Sequence, residues 1–561
     1  MPRSHPNPSG RAVVSARRTA NVPVGKQVRA HSVNGGGSWP SSLSMLDMGS
    51  EARPASADYH GGLGITEFLG GKNFFITGGT GFLGKVLIEK ILRTNPDIGK
   101  IYVLIKARDA EAAMKRLHNE VVDKELFKCL QEIRGEEFNS FVARKLVPVI
   151  GDIRDANLGI CPELMDEIAE SVDIIVNSAG NTNFHERYDV AMDINTLGPF
   201  RMMSFAQRFR RLKLFLHVST AYVNGRRQGV VPEKPFRLGD TIAMELGSLD
   251  SSQHEKAWLD IEAEIQLAMG SGRQNDDSPS FCKEMIDLGL QRPNLHGWQD
   301  TYVFTKALGE MVINCMLGEI PVVIIRPSVI ESTLSEPFPG WIQGNRMADP
   351  VILYYGKGQI RSFVGNPDCV LDVIPADIVV NATLASMAKG HGRAQPAAAG
   401  MHVYHVASST VNPMLVKDIF QYMFHHFTRS PLIDASGKPI PVQPIRFCQT
   451  MEEYSSSVEA NELLRSQGRG TRAIKNIIYL GRMFEPYTFY CGLFDNANTE
   501  ALLAEMSAAE RPRFHFDVRT VDWMDYFTNV HIPGLKKHVM KSRGVRANPI
   551  APSTTVSDAG A

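Results

Sequence analysis

Closely spaced cysteines are missing from this sequence. Its seven cysteines lie singly along the chain, with no CxxC pair and no tight cluster of histidine and cysteine. This spacing argues against a structural zinc site and against a disulfide framework, and it suits a reducing compartment. We therefore expect no bound metal ion.

Long apolar runs are also missing. No stretch approaches the roughly 18 residues that a membrane-spanning helix needs. The 561 residues are 43% hydrophobic and 21% charged, which is typical of a soluble globular protein with two or three domains. The net charge is zero, and we expect no nucleic-acid partner. Peripheral contact with a membrane stays open.

Acidic residues are absent from residues 1–46, although this stretch carries six basic ones, Arg3, Arg11, Arg17, Arg18, Lys26 and Arg29. It is rich in serine and lacks the apolar segment of a secretory signal. Such a composition predicts an organellar transit peptide over residues 1–60, with the chloroplast as the favoured destination. A disordered tail without a targeting role is the alternative. We also expect residues 542–561 to be disordered.

Buried strands and helices alternate over residues 65–400. The strands, such as KIYVLIKAR and VDIIVNSAG, are continuous apolar runs, which is typical of a parallel sheet covered on both faces. We predict an α/β, Rossmann-type doubly wound sheet. A polar insert over residues 226–298 interrupts the pattern, with a helix expected at 254–268. Residues 401–541 are predicted to form a smaller, mainly helical C-terminal domain.

A glycine-rich turn follows the first predicted strand and opens a helix. Its glycines allow a tight turn, close approach of a diphosphate to bare backbone, and packing of helix on strand. Backbone N–H groups at the helix N-terminus favour the anionic phosphates. We predict a dinucleotide site at this turn, TGGTGFLG, made by Thr77, Gly78, Gly79, Thr80, Gly81, Phe82, Leu83 and Gly84.

The ends of the next strands indicate which dinucleotide binds. Lys106 and Arg108 follow the second strand, where cations suit the extra phosphate of NADP. We therefore predict NADPH, with Asp109 in an NAD-binding role as the alternative if the register shifts. Further cofactor contacts are predicted after the third and fourth strands, at Asp152 and Ile153 and at Ser178, Ala179 and Gly180.

Tyr302 and Lys306 in DTYVFTKALGE are four residues apart and share one face of a predicted helix. A nearby cation favours the phenolate and makes a tyrosine a better proton shuttle. By itself this spacing is common by chance. Ser219 and Thr220, at the end of the fifth strand, place hydroxyls at the sheet edge where ligands of such sheets bind.

The glycine turn, the strand-end hydroxyls and the YxxxK helix, in this order, resemble the extended short-chain dehydrogenase/reductases. The resemblance implies that Tyr302 is the general acid and that Lys306 lowers its pKa and holds the nicotinamide ribose. Thr220, with Ser219 beside it, matches the catalytic hydroxyl, and Asn195 the relay asparagine. The strand-end segment that lines the nicotinamide pocket would be Arg326, Pro327 and Ser328.

A closer resemblance rests on NSAGNTNF, HVSTAYVNG, YVFTKALGE and VIIRPSVIEST, and on FEPYTFY and FHFDVRTVDWMDYFTNVHIPGL downstream. These resemble the alcohol-forming fatty acyl reductases of plants, and the basic N-terminus resembles their plastid, male-sterility-type subgroup. The resemblance implies reduction of a long-chain acyl thioester by two NADPH to a primary alcohol for pollen-wall or wax lipids. It also implies an acyl carrier protein as partner.

Two other functions are compatible with parts of this sequence. A nucleotide-sugar epimerase or dehydratase shares the N-terminal motifs but has no need of residues 401–541. A dinucleotide-binding scaffold without catalysis would have no need of both Tyr302 and Lys306. The resemblance leaves the role of the 226–298 insert open.

Overall fold

The structure is a computed structural model that describes residues 61–247, 258–270, 276–390, 400–461 and 470–540. The predictions for residues 1–60 and 542–561 lie outside the described residues, as does the start of the helix expected at 254–268. None of the helices within the described ranges is long and apolar enough to cross a membrane.

Seven parallel strands of the described chain form one central sheet, in the order β11-β7-β5-β4-β1-β2-β3. Their side chains are almost entirely buried, because helices cover both faces. The predicted doubly wound fold is confirmed. The strands are β1 (Phe74–Thr77), β2 (Ile101–Ile105), β3 (Leu146–Ile150), β4 (Ile174–Asn177), β5 (Leu214–Val218), β6 (Gly229–Val231), β7 (Val322–Pro327), β8 (Val329–Glu331), β9 (Ser362–Val364), β10 (Val373–Pro375), β11 (Met401–Val406), β12 (Arg446–Cys448) and β13 (Gly492–Phe494).

The strand order reverses between β1 and β4, and ligands of open α/β sheets bind at such a reversal.

On one face the Phe82–Thr94 helix packs against Ala376–Lys389, and on the other Thr301–Met316 packs against Tyr188–Asn195 and Leu197–Ala206. The remaining helices up to residue 400 are Ile65–Leu69, Ala110–Leu117, Lys128–Arg134, Phe138–Lys145, Pro162–Ser171, Ile242–Glu245, Ile261–Met269, Pro279–His296 and Asp349–Gly356.

The sheet continues beyond the boundary predicted at residue 400. Strand β11 begins at Met401 and pairs in parallel with β7 along its whole length. Two short parallel pairs, β9 with β12 and β6 with β13, join the C-terminal region to the reductase region. The α-helices of the described C-terminal region are Val416–Arg429, Met451–Glu459, Gly470–Thr488, Ala497–Glu505, Glu510–Arg513, Trp523–Asp525 and Ile532–Leu535, and it also holds the 3₁₀-helix Val518–Thr520 and the π-helices Tyr526–His531 and Lys536–Met540.

The insert contributes helices rather than an unpatterned loop where it is described. Glu264, on the Ile261–Met269 helix, accepts a hydrogen bond of 2.6 Å from the Tyr188 hydroxyl and pairs with Arg292 of the Pro279–His296 helix. Tyr188 is fully buried. These contacts anchor the insert on the sheet-covering Tyr188–Asn195 helix.

One pair of cysteines is joined in the described residues, although their spacing in the sequence argued against a disulfide framework. Cys369 and Cys491 form a disulfide, with their Cα atoms 5.4 Å apart. The two residues are 122 positions apart in the chain, so spacing along the sequence carries no sign of their proximity. The bond joins the loop after β9 to the segment that follows the Gly470–Thr488 helix.

Candidate active site

The glycine turn leaves bare backbone between β1 and its helix. Gly78 has a φ of 71°, and a Cβ there would lie 2.7 Å from the backbone nitrogen of Ala179. A Cβ on Gly84 would lie 2.4 Å from the Gly78 carbonyl oxygen. Gly81 precedes the Phe82–Thr94 helix without a side-chain cap, so the N–H groups of the first turn are free for an anion.

A cleft of about 400 Å³ opens above this turn. It brings the two ends of the predicted site together, since the glycine turn lies on one side and the Tyr302 and Lys306 side chains on the other. Of the residues predicted from the sequence, those lining the cleft are Gly78, Thr80, Gly81, Phe82, Leu83, Gly84, Ser178, Ala179, Gly180, Ser219, Thr220, Tyr302, Lys306, Pro327 and Ser328.

Tyr302 occupies the first turn of the Thr301–Met316 helix, whose N-cap Asp300 accepts a 3.0 Å hydrogen bond from Val303 N. Its ring stacks on Phe184, with centroids 6.1 Å apart. Burial raises the pKa of Tyr302 above its usual value, the Asp300 carboxylate adds to this, and a hydrogen bond with Thr220 opposes it. The phenol is therefore protonated at neutral pH and positioned as a donor.

Lys306 lies one turn further along the helix and is 3% exposed. Its Nζ donates to the Val218 carbonyl at 2.8 Å and lies 3.0 Å from His217 Nε2. Burial lowers the pKa of Lys306 to about 8, while the Glu310 carboxylate works in the opposite direction. The ammonium is held by β5, while the Tyr302 hydroxyl is held by Thr220.

His217 was missed by sequence reasoning. It is fully buried within β5, and its Nδ1 lies 3.1 Å from Asn177 Nδ2. Asn177 in turn accepts a 2.8 Å hydrogen bond from the Thr77 hydroxyl. A polar chain therefore connects the glycine turn to Lys306. The available signal was a histidine inside the otherwise aliphatic strand LFLHV, where an unpaired imidazole would be costly.

Tyr487 was also missed. Its hydroxyl donates to the buried Asp300 carboxylate, and its ring stacks on Phe184 with centroids 5.1 Å apart. Burial raises the pKa of Asp300 to about 6, against the lowering effect of the Tyr487 hydrogen bond. The C-terminal region thus supports the N-terminus of the helix that carries Tyr302. The FEPYTFY motif contained this residue without indicating its role.

Several predicted residues do not line the cleft. Arg326 is fully buried and donates to Glu310 from Nε at 3.0 Å. The Asn195 side chain donates to the Asn181 carbonyl at 2.9 Å and to Thr305 Oγ1 at 3.1 Å, behind the Tyr302 helix. The Thr77 hydroxyl bonds to Asn177, and Gly79 packs against the side chains of Val103 and Ile88. Ile153 is buried in the core.

The charged residues at the strand ends form surface pairs. Lys106 lies 2.8 Å from Asp152, whose pKa is lowered because this contact and the Arg154 N–H outweigh the effect of burial. Arg108 lies 2.9 Å from Asp109, which also caps the Ala110–Leu117 helix. Both cations are therefore paired with carboxylates, and none of these four residues lines the cleft.

A second, almost wholly apolar cavity of about 60 Å³ adjoins the cleft. Four residues line both, namely Tyr222, Val329, Met347 and Tyr487. The far wall is formed by Val416, Ile419, Phe420 and Met423 of the Val416–Arg429 helix, together with Phe363. A reacting group in the cleft could therefore extend a hydrocarbon chain into this cavity.

Comparisons with known proteins agree with this geometry. Residues 76–383 and 460–542 each match a family described as "Male sterility protein". The chain is 49% identical over 500 residues to "Fatty acyl-CoA reductase 2, chloroplastic" of Arabidopsis thaliana, covering 86% of this chain and 80% of that protein. It is 38% identical over 499 residues to "Alcohol-forming fatty acyl-CoA reductase" of Simmondsia chinensis, covering 85% and 99%.

Among solved structures, the terminal R domain from the myxalamid PKS-NRPS biosynthetic pathway is similar in fold. The TM-score is 0.53 at 16% sequence identity, and the match covers 86% of this chain and 93% of that domain. At this identity the likeness concerns the fold alone.

Proposed function

Because the chain belongs to the fatty acyl-CoA reductase family, we propose that it reduces a long-chain fatty acyl thioester to a primary alcohol with NADPH. It is an oxidoreductase that uses a nicotinamide dinucleotide. The observation that carries the proposal is the cleft in which the glycine turn faces Tyr302 and Lys306 and adjoins an apolar cavity. The epimerase alternative is not favoured, because the family match extends to residue 542.

The residues of the cleft fit a dinucleotide. Gly78 and Gly84 keep the turn tight, because a Cβ at either would collide with neighbouring backbone, and the N-terminus of the Phe82–Thr94 helix favours a diphosphate. Lys306 would hold the nicotinamide ribose. When bound, the reduced nicotinamide supplies a hydride to the thioester carbonyl carbon and, in a second round, to the aldehyde carbon.

The protein's own groups act on the substrate oxygen. Thr220 and Tyr302 donate hydrogen bonds to the carbonyl oxygen as it gains charge, which is the largest single contribution in many acyl-transfer enzymes. In the first round the C–S bond of the protonated adduct breaks, so that a thiol leaves and an aldehyde remains. In the second round Tyr302 gives its proton to the alkoxide. The overall change consumes two hydrides and two protons per alcohol.

Incubation of the full chain with NADPH and a palmitoyl thioester tests the proposed function. We expect oxidation of two NADPH per molecule of hexadecanol, measured by loss of reduced-nicotinamide absorbance and by chromatography. Parallel reactions use the acyl carrier protein and coenzyme A thioesters, and the carrier-protein form should react faster. Aldehyde as the only product, or no reduced product from either thioester, would contradict the proposal.

The carrier preference and a plastid location are parts of the same proposal. They are supported by the chloroplastic relative and by the basic, acid-free stretch over residues 1–46. A product made there would serve as a precursor of a lipidic wall or wax. Import of the full chain into isolated plastids, followed by protease protection, tests the location.

Replacement of Lys106 and Arg108 by glutamine should weaken the binding of NADPH and leave the binding of NADH unchanged. Each lost charge-assisted contact with the extra phosphate corresponds to about 1.5–3 kcal/mol, or roughly tenfold or more in KM. Steady-state KM values for both cofactors measure the effect, with Lys115→Gln on the neighbouring helix as the exposed control. Equal changes for NADPH and NADH would show that the two side chains do not select the cofactor.

Met423→Phe should shorten the preferred acyl chain. Met423 is fully buried and lines the apolar cavity but not the cleft, so a larger ring removes space for the acyl chain beyond the cleft. Competition among thioesters of different chain length, read by chromatography of the alcohols, measures the shift. The control is Met506→Phe, a buried methionine outside this cavity. An unchanged product profile from a folded variant would place the acyl chain elsewhere.

A further inference from the structure

Three buried residues meet beside the cofactor cleft, at the junction of the reductase and C-terminal regions. Glu331 ends β8, Asp349 begins the Asp349–Gly356 helix, and His531 ends the π-helix Tyr526–His531. Their side chains are 1%, 1% and 0% exposed. One donor atom from each lies within 4.8 Å of the others.

The cluster lacks a charge partner within the described residues. Both Glu331 oxygens, Asp349 Oδ1 and His531 Nε2 are buried without a hydrogen-bond partner there. Two adjacent carboxylates without a counter-charge are strongly unfavourable in the interior. A divalent cation bound between the two carboxylates and the imidazole would balance both charges.

The distances match those of a metal site. His531 Nε2 lies 3.2 Å from Asp349 Oδ1 and 3.6 Å from Glu331 Oε2. Ligands about 2.0–2.2 Å from a tetrahedral zinc ion lie roughly 3.3–3.6 Å from each other. The ligand atoms are therefore already spaced to receive an ion of this size with little rearrangement.

The second ring nitrogen of His531 is held as it is in many metal-binding histidines. Its Nδ1 lies 3.1 Å from the Ser332 hydroxyl. The backbone carbonyl of Ser332 accepts a 2.7 Å hydrogen bond from the Tyr526 hydroxyl. A longer contact of 3.5 Å from Ser332 N to the same nitrogen favours the opposite tautomer. In the tautomer in which Nδ1 donates to the Ser332 hydroxyl, the Nε2 lone pair faces the carboxylates, as metal binding needs.

We propose that Glu331, Asp349 and His531 bind a divalent transition-metal cation, with zinc the best match to the ligand types and spacing. Water would complete the coordination. The ion would join the end of β8, the start of the Asp349–Gly356 helix and the C-terminal π-helix. Because Asp349 also lines the cofactor cleft, the ion would fix one wall of that cleft against the C-terminal region.

Metal analysis of the tag-free full chain tests this site. Protein produced with added zinc should carry about one equivalent by mass spectrometry, and Glu331→Gln and His531→Gln should each lose it. The control is His426→Gln, since His426 is buried with an unpartnered Nε2 but is not part of the cluster. Cobalt exchanged into the wild type should give the intense visible bands of a tetrahedral site, absent from Glu331→Gln.

A thermal readout keeps the test decisive where a variant folds poorly. Chelation should lower the Tm of the wild type by several degrees and added zinc should restore it, whereas Glu331→Gln should respond to neither. The proposal would be overturned if the wild type is isolated without metal and its Tm is unchanged by chelator and by zinc. It would also be overturned if the variants keep the zinc content of the wild type. None of these readouts depends on turnover, so the site and the proposed reaction are tested separately.

Discussion

Tyr302→Phe is expected to lower alcohol formation by about 10²- to 10⁴-fold, the range that a positioned general acid contributes. The change removes one oxygen and leaves the ring stacked on Phe184. The hydroxyl carries the proton because burial and Asp300 raise its pKa. Without the hydroxyl, both rounds of reduction lack a proton donor at the substrate oxygen. The variant should therefore not accumulate the aldehyde in place of the alcohol.

Single-turnover and steady-state oxidation of NADPH, with chromatography of the products, measure this effect. Tyr479→Phe is the matched control, since Tyr479 is 48% exposed and contacts His185 outside the cleft. Binding of NADPH, followed by fluorescence titration, should be nearly unchanged in Tyr302→Phe. Turnover within a few-fold of wild type would remove Tyr302 from the mechanism and require another proton donor.

Local patterns were sufficient to predict the sheet and the glycine turn. The apolar runs at Phe74–Thr77 and Ile174–Asn177 are typical of strands buried on both faces of a sheet. The spacing of Gly78, Gly81 and Gly84 reflects distances within a few residues. Fatty acyl reductase family membership was recognisable for the same reason, because its motifs are contiguous stretches of chain.

Contacts between distant segments were not predictable in this way. The hydrogen bond from Tyr487 to Asp300 and the disulfide of Cys369 with Cys491 join segments more than a hundred residues apart. Strand β11 lies in the region predicted as the C-terminal domain, although it extends the central sheet beside β7. Sequence spacing holds no information on such pairs, since the intervening chain determines which surfaces meet.

Arg326 illustrates a different difficulty. Its position at the end of β7 beside Pro327 predicts that it lines the nicotinamide pocket, and its two C-terminal neighbours do line the cleft. The Arg326 side chain instead pairs in the core with Glu310, on the helix that also carries Tyr302 and Lys306. Motif position alone therefore does not decide which residue of the segment reaches the site.

Lys306→Met should lower kcat/KM for NADPH by at least about 100-fold, since it removes a charged donor from the cleft while keeping the length of the buried side chain. His217 and the Val218 carbonyl would lose their partner, so the Tm should also fall. Calorimetric titration with NADPH separates weaker cofactor binding from a slower reaction. Unchanged binding and turnover would contradict a role for Lys306 in either step.

The same lysine sets an expected pH limit. Burial lowers the pKa of Lys306 to about 8 from its usual 10.5. The ammonium is therefore present below about pH 8 and is lost as the pH rises through that value. If the charged form binds the cofactor, kcat/KM for NADPH should be level below pH 8 and fall tenfold per unit above it. Lys306→Arg, whose guanidinium stays protonated, should flatten the profile at a lower overall rate. A wild-type profile that stays level to pH 10 would show that the positive charge of Lys306 is not required.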